Sequence, residues 1–172
     1  MTRFKLLPPA PETLDGVVEA QRAVPLVPGT EDDCCARLVR RLALPSRDVA
    51  RTWLTFLRAL GLAAERESGF VRLTREPTPG YLRAAFLDGV YGAREINDAL
   101  GPRPVDADAV FERFEARVPE WERHKDPARW RDTWRERVDH LLDWLVLLDL
   151  AARESDGYVA AEPPDGSVEN GG

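Results

Sequence analysis

Apolar residues recur three and four positions apart in three successive segments of the first half of the chain. This spacing predicts amphipathic helices over residues 14–22 and 47–60, with another helix between them that ends before Pro45. Thr30 and Ser46 stand directly before the second and third helices, where a side-chain oxygen can cap the first helical turn. The first half of the chain is therefore predicted to contain three helices.

A β-hairpin is predicted directly after the third helix. Residues 62–66 and 70–74 are expected to be its strands, and Gly69 in the turn between them can adopt a positive φ. The end of the third helix and the hairpin are predicted to recur later in the chain. Residues 53–71 align without a gap with residues 141–159. Eight of the nineteen aligned positions are identical. The chain is therefore predicted to carry two copies of one structural unit.

Three helices closed by a hairpin resemble the winged-helix fold, a variant of the helix-turn-helix. The resemblance implies a mainly α protein with short β-hairpin wings, built from two winged-helix-like units in tandem. We predict the first unit over residues 12–76 and the second over residues 77–161, with inserted helices at about residues 103–127. Residues 1–11 are proline-rich and are expected to form a flexible arm. Residues 162–172, rich in proline, glycine and acidic residues, are expected to form a disordered tail.

The second unit is expected to open with a helix that Thr78 caps and Pro79 begins. Residues 93–100 resemble the short positioning helix of helix-turn-helix proteins. A last long helix carries apolar residues at steps of three and four from Trp130 to Leu148. The insertion delays this last helix relative to the winged-helix pattern.

Arginines line the predicted exposed side of the third helix. At about 100° per residue, the positions opposite its apolar face are Arg47, Arg51, Thr55 and Arg58. In a winged helix this face usually enters the major groove of DNA, and Arg66 and Arg72 on the predicted wing would reach flanking phosphates. Guanidinium groups hold phosphate or guanine with two hydrogen bonds. The alternatives are a solvated face that keeps the helix soluble and a surface for a protein partner.

The second copy has a different face at the same place. An offset of 88 residues puts Arg135, Asp139, Asp143 and Val146 where the first copy has its arginine-rich face. Carboxylates repel a phosphate backbone, so the two copies are not expected to do the same job. The second unit is expected to support dimerisation or to bind a partner.

Tryptophans are concentrated in the second unit. Trp121, Trp130 and Trp134 stand at or near helical spacing and are candidates for an interface with a second copy or with another protein. The alternative is that these aromatic residues are core, as such spacing usually indicates.

Charge narrows the choice of partners. The 172 residues include 24 basic and 30 acidic ones, and the net charge of −6 disfavours a general nucleic-acid coat or a binder of anionic membranes. Residues 30–76 carry two more basic than acidic residues, whereas residues 77–172 carry eight more acidic than basic ones. Lysine occurs twice beside 22 arginines, a usage that resembles cytosolic proteins of halophiles.

The sequence contains few residues or motifs that indicate catalysis or metal binding. Cys34 and Cys35 are adjacent, and with two histidines they provide neither a disulfide framework nor a four-ligand zinc site. No phosphate loop, dinucleotide fingerprint or nucleophile elbow occurs in the sequence. We therefore expect no catalytic site, no metal and no cofactor. No apolar stretch reaches the roughly 18–20 residues of a membrane span, and a soluble cytoplasmic protein is expected.

Two functions fit these observations. The first is a DNA-binding transcriptional regulator, whose first unit contacts duplex DNA and whose acidic second unit forms a homodimer or binds a partner. The second is a non-enzymatic scaffold of tandem winged helices that binds a larger protein. This second architecture resembles the accessory subunits of chromosome-condensation complexes.

Overall fold

A computed structural model describes residues 6–161 of the chain. The described residues form two compact units, one ending at Val90 and one beginning at Tyr91. The first unit contains α1 (Asp15–Ala23), α2 (Glu31–Leu42), α3 (Arg47–Ala59), β1 (Ala63–Arg66), β2 (Gly69–Arg72) and α4 (Pro79–Gly89). The second contains α5 (Ala93–Ala99), α6 (Ala107–Phe114), a 3-10 helix (Glu115–Arg117), α7 (Glu120–Lys125), α8 (Trp130–Leu147), β3 (Ala151–Glu154) and β4 (Gly157–Ala160). The predicted class, mainly α with two short hairpins, is confirmed.

Side-chain caps fix where the helices of the first unit begin. The hydroxyl of Thr30 accepts a hydrogen bond from the backbone N–H of Asp33 at 3.1 Å, and the hydroxyl of Ser46 accepts one from Val49 at 3.2 Å. Both contacts satisfy a backbone donor that has no partner within the helix. α2 ends at Ala43, whose φ of 53° is left-handed. The predicted starts of α2 and α3 are confirmed.

An isolated β-bridge joins the segment between α1 and α2 to the hairpin of the first unit. β1 and β2 pair antiparallel, with Ala63 opposite Arg72 and Arg66 opposite Gly69. Gly29, between α1 and α2, bridges to Phe70 through backbone hydrogen bonds of 3.0 and 2.8 Å. The order is therefore helix, bridge residue, helix, helix and hairpin. This is the winged-helix arrangement, with α3 in the place of the recognition helix.

The second unit repeats this order, and its backbone contacts set the register. Val105 bridges to Tyr158, as Gly29 bridges to Phe70. The offset between the copies is 76 residues at the first partner of the bridge and 88 at the second, so the second copy has 12 more residues between them. α5 corresponds to α1, and α8 corresponds to α3. α6 with the 3-10 helix corresponds to α2.

This register differs from the sequence-based assignment. Residues 93–100 were predicted to be the positioning helix, but α5 takes the place of the first helix of the second unit and α6 is the positioning helix. Residues 103–117 belong to the shared fold. The additional chain lies after the 3-10 helix, in α7 and in the start of α8, so it overlaps the later part of the predicted insertion at residues 103–127 and extends beyond its end.

α4 packs on the first unit, and the second unit has no counterpart of it among residues 91–161. The hydroxyl of Tyr81 donates to the carbonyl oxygen of Leu60 at 2.6 Å, and the rings of Phe86 and Phe56 meet edge to face at 6.2 Å between centroids. Gly89 approaches the backbone of Ala59 so closely that a Cβ would collide with it. These contacts explain why the first compact unit extends to Val90 instead of ending near residue 76.

The predicted arm and tail lie partly or wholly outside the described residues. Residues 1–5 of the arm are outside them, whereas Leu7 and Pro8 are buried in the first unit. Pro11 packs against Gly16 of α1, where a Cβ would lie 2.6 Å from the proline ring. The described part of the arm thus packs against the first unit. The predicted tail, residues 162–172, lies outside the described residues.

Candidate nucleic-acid interface

α3 presents its arginines on the side opposite the core of the first unit. Its inner side buries Trp53, Phe56 and Leu57, which hold the helix against α1, α2 and α4. The side chains of Arg47 and Arg51 are each about half exposed. The remaining positions of the predicted face, Thr55 and Arg58, are of intermediate exposure. The sequence therefore placed this face correctly with respect to the core.

Carboxylates contact all three arginines of this face. Arg47 pairs with Asp32 of α2. Arg51 lies 3.4 Å from a carboxylate oxygen of Glu31 and 3.5 Å from one of Asp48. The face therefore carries guanidinium groups that are already engaged in ion pairs.

Arg58 joins the helix to the wing. Its guanidinium lies 3.3 Å from a carboxylate oxygen of Glu65 on β1 and 5.8 Å from the ring centre of Phe70 on β2. Counting this pair, three guanidinium groups stand among four carboxylates. The electrostatic potential of the face is accordingly more balanced than the arginine spacing alone indicates.

These ion pairs are weak enough to exchange. Pairs between exposed side chains contribute about 0–1 kcal/mol each, because water screens them and two long side chains must be ordered. A phosphate oxygen forms charge-assisted hydrogen bonds of the same kind with arginine. The geometry is therefore compatible with the exchange of a carboxylate for a phosphate at Arg47 and Arg51.

Arg66 and Arg72, the two wing arginines, have different roles. Arg66 is exposed at the end of β1, next to the turn. Arg72 points back into the first unit, where its Nε donates to the carbonyl oxygen of Val24 at 2.8 Å and its Nη2 donates to that of Arg22 at 3.0 Å. We therefore assign Arg72 to the fold, as a clamp between β2 and the end of α1, and remove it from the candidate DNA face.

The corresponding face of the second unit is acidic, but it keeps one ion pair of the first. Arg135 pairs with Asp108, and these residues are the counterparts of Arg47 and Asp32 in the register set by the hairpin bridges. Asp139 lies 3.6 Å from Arg135, and Asp143 lies 2.5 Å from Arg153. Two guanidinium groups therefore stand among three carboxylates here, and α8 itself contributes Asp139 and Asp143 where α3 contributes Arg51 and Thr55.

The three tryptophan candidates differ in exposure. Trp134 is 2 % exposed and packs edge to face on Tyr91 with 5.7 Å between ring centres, so it is a core residue and not an interface contact. Trp130 is of intermediate exposure and lies under the guanidinium of Arg123 at 4.6 Å. Trp121 on α7 is 55 % exposed. Trp121 and Trp130 therefore remain interface candidates.

The carboxylate partners are the functional residues that the sequence analysis missed. Glu31 and Asp32 were interpreted as acidic residues of a first helical turn, where the helix dipole favours them. Their second role depends on the angle at which α2 crosses α3. The spacing of residues within one helix contains no information about that angle.

The remaining candidates for chemistry in the described residues are metal-binding groups and the two thiols. Among residues 6–161, no group of three histidine, cysteine or acidic residues is arranged to hold a metal ion. Burial raises the pKa of the Cys34 thiol, with a further contribution from Asp33, and burial also raises that of Cys35. No helix in this described part of the chain is both long and apolar enough to cross a membrane.

Comparison with known proteins adds one family. The family model described as halobacterial double winged helix domain matches residues 2–164. No curated protein and no solved structure matches the chain.

Proposed function

The chain belongs to the halobacterial double winged helix domain family, and on this premise we propose that it is a DNA-binding transcriptional regulator whose first unit contacts duplex DNA. The observation that carries the proposal is the exposed face of α3, where Arg47, Arg51 and Arg58 follow one another along the helix. The family and the place of α3 as recognition helix support this assignment.

Binding through this face would proceed by exchange of ion-pair partners. As α3 enters the major groove, phosphate oxygens or guanine edges replace the carboxylates that hold Arg47 and Arg51. Arg66, exposed beside the turn of the wing, would contact a flanking phosphate. Because each contact releases counterions, the affinity should fall steeply as salt rises.

The test is fluorescence anisotropy of a labelled DNA duplex with the full chain, across a series of KCl concentrations. The variant R47A/R51A should bind at least about tenfold more weakly, because two phosphate or base contacts are lost. The matched control is R37A/R40A, which removes the same charge from the exposed side of α2. Equal affinity of the two folded variants would contradict the assignment of the face.

The second unit would then serve as a homodimer contact or bind a partner protein. Its α8 face carries Asp139 and Asp143 where α3 has Arg51 and Thr55, and Trp121 lies exposed on α7, which the first unit lacks. Sedimentation of the purified chain with and without W121A would test this. A dimer that dissociates on that substitution supports the self-association contact.

A protein scaffold is the second candidate function. The observation that favours it is that Arg47, Arg51 and Arg58 are all paired with carboxylates, so the face has no excess of positive charge. A scaffold would bind duplex DNA no better than R47A/R51A does, at any salt concentration. That result would move the search to protein partners of the second unit.

A further inference from the structure

A cleft of about 380 Å³ opens in the first unit beside the turn between α2 and α3. Its wall is apolar and is formed by Pro9, Pro11, Leu42, Leu44, Val49 and Trp53. Volumes of a few hundred Å³ with an apolar lining and few polar groups are typical of sites for small organic molecules. The location and lining therefore make this cleft a candidate ligand site.

The polar groups of the cleft are on its rim. Nε of Arg41 lies 3.1 Å from a carboxylate oxygen of Glu19, and Arg22 lies 3.4 Å from the other oxygen of the same carboxylate. Among residues 6–161, Arg41 forms no ion pair except the one with Glu19. Two guanidinium groups thus share one carboxylate, and the guanidinium of Arg41 lies on the rim of the cleft.

The second unit repeats a glycine and an ion pair that border the cleft, but the side chains beside them differ. Gly16, Glu19 and Arg41 correspond to Gly92, Glu95 and Arg117, and the ion pair is kept, with 3.9 Å between Arg117 and Glu95. Both units therefore have these three residues, and the side chains packed beside them can be compared position by position.

Aromatic rings occupy this place in the second unit. Tyr91 packs on Trp134 with 5.7 Å between ring centres and on Phe114 with 6.4 Å, and its hydroxyl donates to the carbonyl oxygen of Arg117 at 2.8 Å. Arg137, the counterpart of Val49, lies over the ring of Trp134 at 4.6 Å. Both rings therefore touch residues whose counterparts line the cleft.

The first unit lacks both rings. In the register of the repeat, Asp15 stands where the second unit has Tyr91, and Ser46 stands where it has Trp134. Ser46 caps α3, whereas Trp134 belongs to the part of α8 that extends beyond the length of α3. In the second unit two aromatic side chains thus contact the counterparts of Arg41 and Val49, and the first unit has neither ring beside its cleft.

We propose that this cleft binds a small aromatic carboxylate. The ring system lies against Trp53, Leu44 and Pro11 in the place of the two missing rings, and the carboxylate pairs with Arg41 at the rim. Aromatic rings gain from edge and offset contacts beyond their buried area, which favours them over aliphatic chains here. Arg41, which shares its carboxylate partner Glu19 with Arg22, favours an acid over an amine.

The ligand would also contact the helix that carries the arginine face. Leu44 and Pro45 form the turn between α2 and α3, and Val49 and Trp53 belong to α3. A molecule that binds there changes the free energy of any movement of α3 relative to α2. This regulatory consequence rests on the proposed DNA binding, since coupling between two sites is reciprocal. Binding of the ligand itself does not rest on it.

The experiment uses 2-naphthoate as the probe in isothermal titration calorimetry with the full chain. Binding of 2-naphthoate is expected, with at least about tenfold weaker binding of cyclohexanecarboxylate and of 2-naphthylmethylamine. R41Q should weaken 2-naphthoate at least about tenfold and should abolish the preference for the acid over the amine.

Filling the cleft gives the decisive comparison. L44W should abolish binding, because the indole takes the space of the ligand. V49F is the second filling variant, used if circular dichroism shows that L44W does not fold. V27F is the matched control, because Val27 is 70 % exposed and does not line the cleft. No binding to the wild type at about 1 mM, or undiminished binding to the folded filling variant, would overturn the proposal.

A separate measurement distinguishes this site from the proposed function. DNA affinity is measured with and without saturating 2-naphthoate. A change that disappears in the filling variant establishes the coupling. If calorimetry detects binding of 2-naphthoate but no binding to DNA is measured, the proposed function is contradicted and the ligand site is still established.

Discussion

Removing the guanidinium of Arg72 should destabilise the first unit without directly removing a DNA contact. In Arg72→Met the apolar stem is kept, and the two hydrogen bonds to the carbonyl oxygens of Val24 and Arg22 are lost. The first bond, at 2.8 Å, is partly buried, and the second, at 3.0 Å, is exposed. Substitution therefore acts mainly through the partly buried bond.

The size of the effect follows from these two environments. A hydrogen bond from a charged donor contributes about 1.5–3 kcal/mol, and the exposed bond contributes at the low end of the range for ordinary hydrogen bonds. We expect a loss of about 2–3 kcal/mol in the free energy of unfolding. For a unit of this size, that loss lowers the midpoint of thermal unfolding by roughly 10–20 °C.

Differential scanning calorimetry of the full chain measures the effect. The matched control is Arg66→Met, in the same hairpin, where the arginine is exposed and the stability should change by less than about 0.5 kcal/mol. The two variants should separate stability from binding, because R66M alone is expected to weaken DNA binding with the fold intact. If R72M were as stable as the wild type but bound DNA more weakly, the role of Arg72 as a clamp would be refuted.

Two further predictions concern the first unit. Ser46→Ala removes the cap of α3 and should cost about 1 kcal/mol of stability in urea unfolding, whereas Ser46→Asp, which keeps a side-chain acceptor, should cost much less. Because burial raises the pKa of the Cys34 and Cys35 thiols, iodoacetamide should modify the native protein far more slowly than the unfolded chain, as mass spectrometry would detect. The same raised pKa means that stability is retained below the ordinary thiol range and falls as the pH rises above it. Rapid modification of the native protein at neutral pH would contradict the burial of these thiols.

Most of the helices and both hairpins could be predicted from the sequence. The caps Thr30 and Ser46 and the apolar spacing of α3 depend on neighbours within a few residues, and the repeat fixed the second hairpin by comparison with the first. These features are visible in a sequence because the interactions that create them are short in range.

Features that depend on the path of the backbone were not visible. α5 was given the wrong place because the helices of the second unit were counted from α4, and only the bridge between Val105 and Tyr158 reveals the register. Arg72 looks like any exposed wing arginine until its side chain is seen to reach Val24 and Arg22.

The candidate site was predicted in part. The arginine face of α3 follows from helical periodicity, but its pairing with Glu31, Asp32 and Glu65 follows from the packing of α2 and β1 beside α3. The cleft beside the α2–α3 turn was not predicted, because the lack of aromatic residues at Asp15 and Ser46 is recognised only when the two units are aligned in the register of the hairpin bridges.

The most direct test of the central claim is the DNA affinity of E31Q/D32N measured beside that of R47A/R51A. If α3 contacts DNA, removing the competing carboxylates should raise the affinity several-fold at low salt, while removing the arginines should lower it. Opposite shifts of the two variants, both larger at low salt than at high salt, are the predicted result. Unchanged affinity of both variants, with both correctly folded, would contradict the claim that the first unit binds DNA through α3.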